Sequence, residues 1–112
     1  MRSDQQLLGD IRDNIRLAQS FSAGLTLDRF AADIKVFYAT IRCLEIISEA
    51  SRNLDAELKG RHPDIRWSQI AGAGNVYRHD YERISADVIW GTVQNALPPL
   101  LDVVLAEFGE TG

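Results

Sequence analysis

The chain has 112 residues, enough for one domain with one modest hydrophobic core, and residues 1–112 are interpreted as a single domain. Hydrophobic residues make up 46% of the sequence, within the ordinary globular range, which argues against an intrinsically disordered chain. The formal net charge of −4 argues against a general nucleic-acid coat protein, and the single cysteine excludes an intramolecular disulfide.

The N-terminal residues are polar and contain no signal-peptide core. No apolar run approaches the roughly 20 residues needed to span a bilayer. We therefore expect no membrane association and a cytoplasmic location.

The first half of the chain has the periodicity of helices. Ser3 and Gln6 match a capping box that begins the first helix, and Gly24 can end it in a left-handed turn. Its apolar residues recur at steps of three and four, as in one buried stripe: Leu8, Ile11, Ile15 and Ala18.

A short turn capped by Thr26 precedes a long helix that is predicted to reach Lys59, before Gly60 and Pro63. Small residues such as Ser48 lie close to its apolar stripe and permit another helix to approach closely. The predicted stripe comprises Ile34, Phe37, Ile41, Leu44, Ile47, Leu54 and Leu58.

The second half predicts a helix from Trp67 or Ser68 to about His79. It contains Gly72 and Gly74, and each costs about 1 kcal/mol relative to alanine inside a helix. Two such residues indicate close packing or access to the backbone. Residues 80–84 are predicted to form a loop, and the prolines at 98 and 99 are expected to interrupt the last helical region.

Together these elements predict an all-α fold, an up-and-down bundle of four to five helices. Cys43 falls in an apolar helical stretch, where a buried packing residue is expected. The apolar stripes are numerous for so small a domain, so a homodimer that buries one helix face is also predicted.

The segment 74–81 is unusually polar for a helix in such a bundle. Asn75 and His79 are four residues apart and share a helix face, whereas Arg78 points about 100° away from His79. Residues 59–83 contain five basic and three acidic side chains, so a locally basic region lies on an acidic chain. Such a region can attract a phosphate over short range.

These groups are sufficient in principle to cleave RNA without a metal. His79 can take a proton from the 2′-hydroxyl or give one to the leaving 5′-oxygen. Arg78 can stabilise charge on the phosphate, and Asn75 can hydrogen-bond the phosphate or orient the imidazole. The sequence has no metal-ligand spacing and no phosphate-binding glycine loop, so no cofactor is expected.

The order of residues in this helix resembles a known signature: WSQIAGAGN over residues 67–75, followed by His79-x-Tyr81. It is similar to that of HepT-type toxins in the HEPN superfamily, which show a Trp, a small Ile-Ala-Gly-like step, then Arg-Asn and His-x-Tyr. Residues 42–50 also resemble the long helix of that family. The resemblance covers nearly the whole chain.

The resemblance implies a HEPN-like helical domain that dimerises so that two motif helices meet in a shared cleft. It implies a metal-independent RNase toxin with RNA as substrate and a minimal nucleotidyltransferase antitoxin as partner. That partner silences such toxins by transferring AMP to the motif tyrosine, which is Tyr81 in this chain. Added phosphate charge and bulk there would block an anionic substrate.

The chain departs from the signature at its arginine. That position is Gly74 here, and Arg78 stands where an apolar residue is usual. Either Arg78 supplies the guanidinium over a glycine that leaves room for substrate, or the domain is a catalytically inactive helical dimer. The inactive dimer would bind nucleotide, RNA or the nucleotidyltransferase. We favour the first alternative because an arginine appears close to where one is missing.

Three further side chains outside the motif residues could contribute to the site or have an ordinary structural role. Tyr77 can line the same cleft or be an ordinary half-buried tyrosine. Glu49 is expected to pair with an arginine such as Arg52, and its second possible role is to face His79 across the bundle. His62 precedes a proline in a connector and is expected to be solvated.

Overall fold

The computed structural model describes residues 2–109, and helices account for most of them. The α-helices are α1 Asp4–Ser22, α2 Leu27–Ala32, α3 Ile34–Arg52, α4 Ala56–Gly60, α5 Trp67–His79, α6 Ala86–Gly91 and α7 Leu97–Glu107. A 3₁₀ turn, Tyr81–Arg83, follows α5, and a π-helical segment, Thr92–Ala96, joins α6 to α7. No strand occurs within residues 2–109, and the predicted all-α class is confirmed.

Helix α1 begins and ends as its sequence predicts. The Ser3 side chain accepts from the Gln6 amide, the Gln6 side chain accepts from the Ser3 amide, and both bonds of the capping box are present. Gly24 follows the helix with φ of 78°, a left-handed conformation that glycine adopts at little cost. The predicted stripe on this helix is fully buried: Leu8, Ile11, Ile15 and Ala18.

Helix α3 is shorter than predicted, because it ends at Arg52 rather than near Lys59. Asn53 caps its C-terminus, and Asp55 then caps the separate helix α4 by accepting from the Glu57 amide. Leu54 and Leu58 are still buried, so the periodic apolar pattern continues across a break in the helix. Hydrophobic periodicity reports which side chains are buried, and it does not detect this cap.

The prolines do not interrupt the last helix, contrary to the sequence prediction. Helical backbone continues through Ala86–Glu107, and the Leu97 amide donates to the Thr92 carbonyl across five residues. This wider π turn lies immediately before the Pro98 and Pro99 rings, which cannot donate to the preceding carbonyls. The helix is widened at this point and is not broken.

The Ala86–Glu107 stretch is also long and apolar enough to cross a membrane, judged by length and composition alone. We expected no segment of this kind from the sequence. One such helix is weak evidence for a membrane span, and 28% of its apolar window is buried in the bundle. The buried stripe on this helix consists of Ile89, Val93, Leu97, Leu100 and Val104.

Helix α3 is the central element of the bundle. It packs against α1 on one flank and against α5 on the other, while α7 packs on α1 and α2 packs on α6. Cys43 is buried on α3, as predicted, and burial raises the pKa of its thiol. Ile34, at the start of α3, is mostly exposed although the sequence placed it in the buried stripe. The α3–α5 contact sets the geometry of the candidate site.

Candidate active site

The start of α5 is anchored by its first residue. The Trp67 indole N–H donates to the carbonyl of Lys59 at 3.1 Å and to that of His62 at 3.0 Å. The ring also packs against the core. These bonds fix the entry of α5 relative to the connector that follows α4.

Gly74, in the middle of α5, is buried against Ser48 of α3. A β-carbon built on Gly74 would lie 2.4 Å from Ser48 Oγ, closer than real β-carbons come to any atom, and 3.1 Å from Ser48 Cβ, which is a tight contact. The Ser48 hydroxyl instead donates to the carbonyls of Ile70 at 2.7 Å and Ala71 at 3.1 Å. The expectation that Ser48 permits close helix approach is therefore confirmed, and Gly74 is its partner.

Arg52 comes from the last turn of α3 and reaches over the same part of α5. Its Nη2 donates to the Ala71 carbonyl at 2.8 Å, and its Nη1 donates to Glu49 Oε2 at 3.2 Å. The same Nη2 lies 3.7 Å from the position that a β-carbon on Gly74 would take. The guanidinium of Arg52 thus lies beside the position that a side chain at residue 74 would take.

Arg78 lies one helical turn after Gly74 and turns toward α3, not into bulk solvent. Its Nη2 is 3.5 Å from Glu49 Oε2, and 37% of its side chain is exposed. Glu49 therefore pairs with two arginines, from α3 and from α5. This outcome agrees with the expectation that Glu49 is an arginine partner.

These side chains line a groove of about 610 Å³ between α1, α3 and α5. Its wall is charged and contains four arginines and three carboxylates: Arg2, Arg42, Arg52, Arg78, Asp10, Glu45 and Glu49. Arg2 pairs with Asp10, and Arg42 pairs with Glu45. Each arginine of the groove therefore has a carboxylate partner.

Asn75 and His79 lie on the same side of α5, as their spacing predicts, and both side chains are exposed. Neither is among the groove-lining residues. His79 is the last residue of α5, and the Asp80 amide caps the helix by donating to the Val76 carbonyl. The imidazole therefore lies at the helix end, next along the chain to Arg78 and accessible to a ligand.

The two tyrosines of the segment take different positions. Tyr81 is 37% exposed, and its ring packs edge-to-face on Tyr38 of α3, with centroids 5.6 Å apart. Tyr77 is half-buried and lines a small apolar cavity with residues such as Leu44 and Leu100, so it faces the core and not the groove. Burial raises the pKa of the Tyr77 phenol, and a hydrogen bond with Thr92 acts in the opposite direction.

His62 is not solvated, contrary to the sequence expectation. Its Nε2 lies 2.5 Å from Glu107 Oε2, and 21% of its side chain is exposed. Arg61 Nη2 donates to Glu107 Oε1 at 2.8 Å. Hydrogen bonds from Arg61 and His62 lower the pKa of Glu107 to about 2, so this cluster ties the C-terminal end of α7 to the connector after α4.

The sequence did not indicate that Arg52 is part of this site or that Tyr38 is the neighbour of Tyr81. Both are on α3, and no local pattern distinguishes them from other exposed residues. The useful signal was indirect, because Ser48 and Gly74 marked where α3 and α5 cross. Within residues 2–109, no three His, Cys, Asp or Glu side chains are placed to hold a metal ion.

The domain is an all-α bundle that carries an asparagine, an arginine, a histidine and a tyrosine on α5 and in the turn that follows it. Residues 11–106 match the model of the family described as Ribonuclease HepT-like. The chain belongs to this HepT-like ribonuclease family, as the resemblance in its motif helix indicated.

Named relatives match most of the chain. The “Probable ribonuclease HepT” of Thermococcus cleftensis is 36% identical over 99 residues, which cover 88% of this chain and 90% of that protein. The “Putative RNase MJ0127” of Methanocaldococcus jannaschii is 34% identical over 91 residues, or 81% of this chain and 75% of that protein. The “Putative RNase TTE0752” of Caldanaerobacter subterraneus is 34% identical over 77 residues and 69% of each chain. No solved structure matches the chain significantly.

Proposed function

We propose that this protein is a metal-independent endoribonuclease toxin of the HepT type that acts as a homodimer. The observation that carries the proposal is the end of α5, where the exposed His79 follows Arg78 and Arg78 faces an arginine-lined groove. Membership of a ribonuclease family supports the same reaction. RNA is the proposed substrate, and the cytoplasm is the proposed location.

In this proposal, RNA is cleaved by attack of a 2′-hydroxyl on the neighbouring phosphate, with loss of the 5′-oxygen. His79 takes the proton of the 2′-hydroxyl or gives one to the leaving oxygen, since an imidazole changes charge near neutral pH. Arg78 stabilises the negative charge that grows on the phosphate oxygens. Asn75, one turn before His79 on the same face, orients the imidazole or binds the phosphate.

Regulation is proposed to act through Tyr81. A minimal nucleotidyltransferase antitoxin would transfer AMP to its phenol, which is partly exposed at the end of the motif helix. The new phosphate would place negative charge and bulk beside His79 and repel the RNA backbone.

The decisive experiment is RNA cleavage by the purified protein in the presence of a chelator. We expect the wild type to cut RNA and His79→Ala to lose at least a hundredfold in rate, the usual contribution of a general acid or base. His62→Gln is the matched control, because it removes the other histidine, which binds Glu107 away from α5. Undiminished cleavage by His79→Ala would show that the assignment is wrong.

A second candidate is a catalytically inactive helical dimer that binds RNA, nucleotide or the nucleotidyltransferase. It is favoured by the buried Gly74 at the signature's arginine position and by the carboxylate partners of the groove arginines. It predicts RNA binding without cleavage by the wild-type protein, so the same assay separates the two candidates.

A further inference from the structure

Two arginines from different helices converge on one carboxylate oxygen in the groove. We propose that Arg52 and Arg78 together bind one backbone phosphate of the RNA, and that Glu49 occupies this phosphate site when RNA is absent. The proposal deepens the proposed function and rests on it for the identity of the ligand. It assigns Arg52 as a substrate-binding residue and Glu49 as an internal competitor.

The first support is geometric. Glu49 Oε2 accepts from Arg52 Nη1 at 3.2 Å and lies 3.5 Å from Arg78 Nη2. One anionic oxygen is therefore held between two guanidinium groups, the arrangement that arginines adopt around a phosphate oxygen. The site is already formed in this structure, with a carboxylate oxygen in place of a phosphate oxygen.

The second support is the way in which Arg52 is held. Its other terminal nitrogen donates to the Ala71 carbonyl of α5 at 2.8 Å, so the guanidinium is fixed across the helix crossing. Gly74 lies beside this guanidinium, and a β-carbon there would be in ordinary van der Waals contact with Arg52 Nη2, at 3.7 Å. A fixed guanidinium loses less conformational entropy when it binds a ligand than a free one.

The third support is charge. Arg2 pairs with Asp10 and Arg42 pairs with Glu45, one cation to one anion, whereas Arg52 and Arg78 share the single carboxylate of Glu49. The unbalanced positive charge of the groove therefore lies between Arg52 and Arg78. Their side chains are 40% and 37% exposed, and that of Glu49 is 54% exposed, so solvent and ligand can reach all three. Exposed ion pairs of this kind contribute little to stability, so a phosphate can displace the carboxylate.

The test measures binding of a single-stranded RNA oligonucleotide over a range of NaCl concentrations, in the His79→Ala background so that the RNA stays intact. Arg52→Gln should weaken binding roughly tenfold at low salt and reduce the slope of log K against log salt by about 0.7, the loss of one phosphate contact. Arg61→Gln is the matched control, because Arg61 is also ion-paired and half exposed but pairs with Glu107 and Glu57. It should leave affinity and slope unchanged.

Glu49→Gln gives a test of opposite sign. Removing the competing carboxylate should tighten RNA binding several-fold and steepen the salt slope, since both arginines are then free for phosphate. A purely structural role for the Arg52–Glu49 pair predicts no such gain. Arg52→Lys keeps the positive charge and should retain the salt slope of the parent protein. It is the variant to compare with the parent if a thermal melt shows that Arg52→Gln is not folded at the assay temperature.

The outcomes separate this inference from the function on which it rests. Equal affinities for Arg52→Gln and Arg61→Gln, or weaker binding by Glu49→Gln, would overturn the phosphate site even if the wild type cleaves RNA. If the wild type cleaves nothing but the predicted affinity changes appear, the nuclease proposal fails while the phosphate site stands.

Discussion

Gly74 of α5 packs tightly against Ser48 of α3, and a side chain added at Gly74 would clash with Ser48. A β-carbon on Gly74 would lie 2.4 Å from Ser48 Oγ, and Ser48 is 1% exposed, so its side chain has little space into which to move. The hydroxyl also donates to two carbonyls of α5. Glycine at this position is therefore a packing requirement of this bundle, whatever else it does at the site.

The first prediction follows from this contact. Gly74→Ala should destabilise the protein by about 1–3 kcal/mol, because overpacking outweighs the helix propensity that alanine brings. Gly72→Ala is the matched control on the same helix, with nothing within 4 Å of its new β-carbon, and it should stabilise by about 0.5–1 kcal/mol. Urea denaturation of both variants measures the difference.

A double variant identifies the cause. Ser48→Gly removes both atoms that meet the new β-carbon, so Ser48→Gly with Gly74→Ala should lose less stability than the sum of the two single changes. Simple additivity of the two changes, or a Gly74→Ala protein as stable as the wild type, would contradict the packing account.

The second prediction concerns modification of Tyr81. Incubation with ATP and a nucleotidyltransferase partner should add AMP to the wild-type protein and abolish RNA cleavage. Tyr81→Phe keeps the ring on Tyr38 but removes the phenol oxygen, so it should resist both modification and silencing. Intact-mass spectrometry with a parallel cleavage assay measures the two effects.

Tyr77→Phe serves as the control for that experiment. Tyr77 lies four residues earlier on the same chain and faces the core. The Tyr77→Phe variant should therefore accept AMP at Tyr81 as the wild type does. Transfer of AMP to Tyr81→Phe would show that the acceptor is another residue.

The third prediction concerns Glu107 and acid stability. Its pKa is lowered from 4.5 to about 2 by hydrogen bonds from Arg61 and His62. A depressed folded-state pKa contributes stability above the unfolded value, and that contribution is lost as pH falls from about 4.5 toward 2. Glu107→Gln should therefore cost on the order of 1–2 kcal/mol at pH 7, a value reduced for solvent screening.

Thermal melts between pH 7 and pH 2 test this. The Glu107→Gln protein should lose less stability on acidification than the wild type, since one carboxylate that must be protonated is gone. Glu57→Gln is the control. Glu57 also pairs with Arg61, but it is 83% exposed and its contact, at 3.4 Å, is longer than the 2.8 Å contact of Glu107. Parallel pH profiles for the wild type and Glu107→Gln would exclude a role for this cluster in acid stability.

Much of the fold could be predicted from local patterns. The Ser3 cap, the stripe on α1 and the boundaries of α5 depend on residues within a few positions of one another, and the structure confirms them. The end of α3 and the interruption of the last helix at Pro98 and Pro99 were predicted wrongly. The apolar periodicity continues past Asn53 with the buried Leu54 and Leu58, so it does not reveal the end of α3. A π turn before Pro98 lets the last helix continue, and no local signal in the sequence indicates it.

For the candidate site, the sequence by itself determined the family motif and the order of Asn75, His79 and Tyr81 along one helix end. Only the tertiary structure decided which side chains come to that helix from elsewhere. Arg52 and Glu49 reach α5 because Ser48 and Gly74 let two backbones approach closely, and no spacing along the chain encodes that crossing. Periodicity describes one helix at a time, whereas this groove depends on the contact between two.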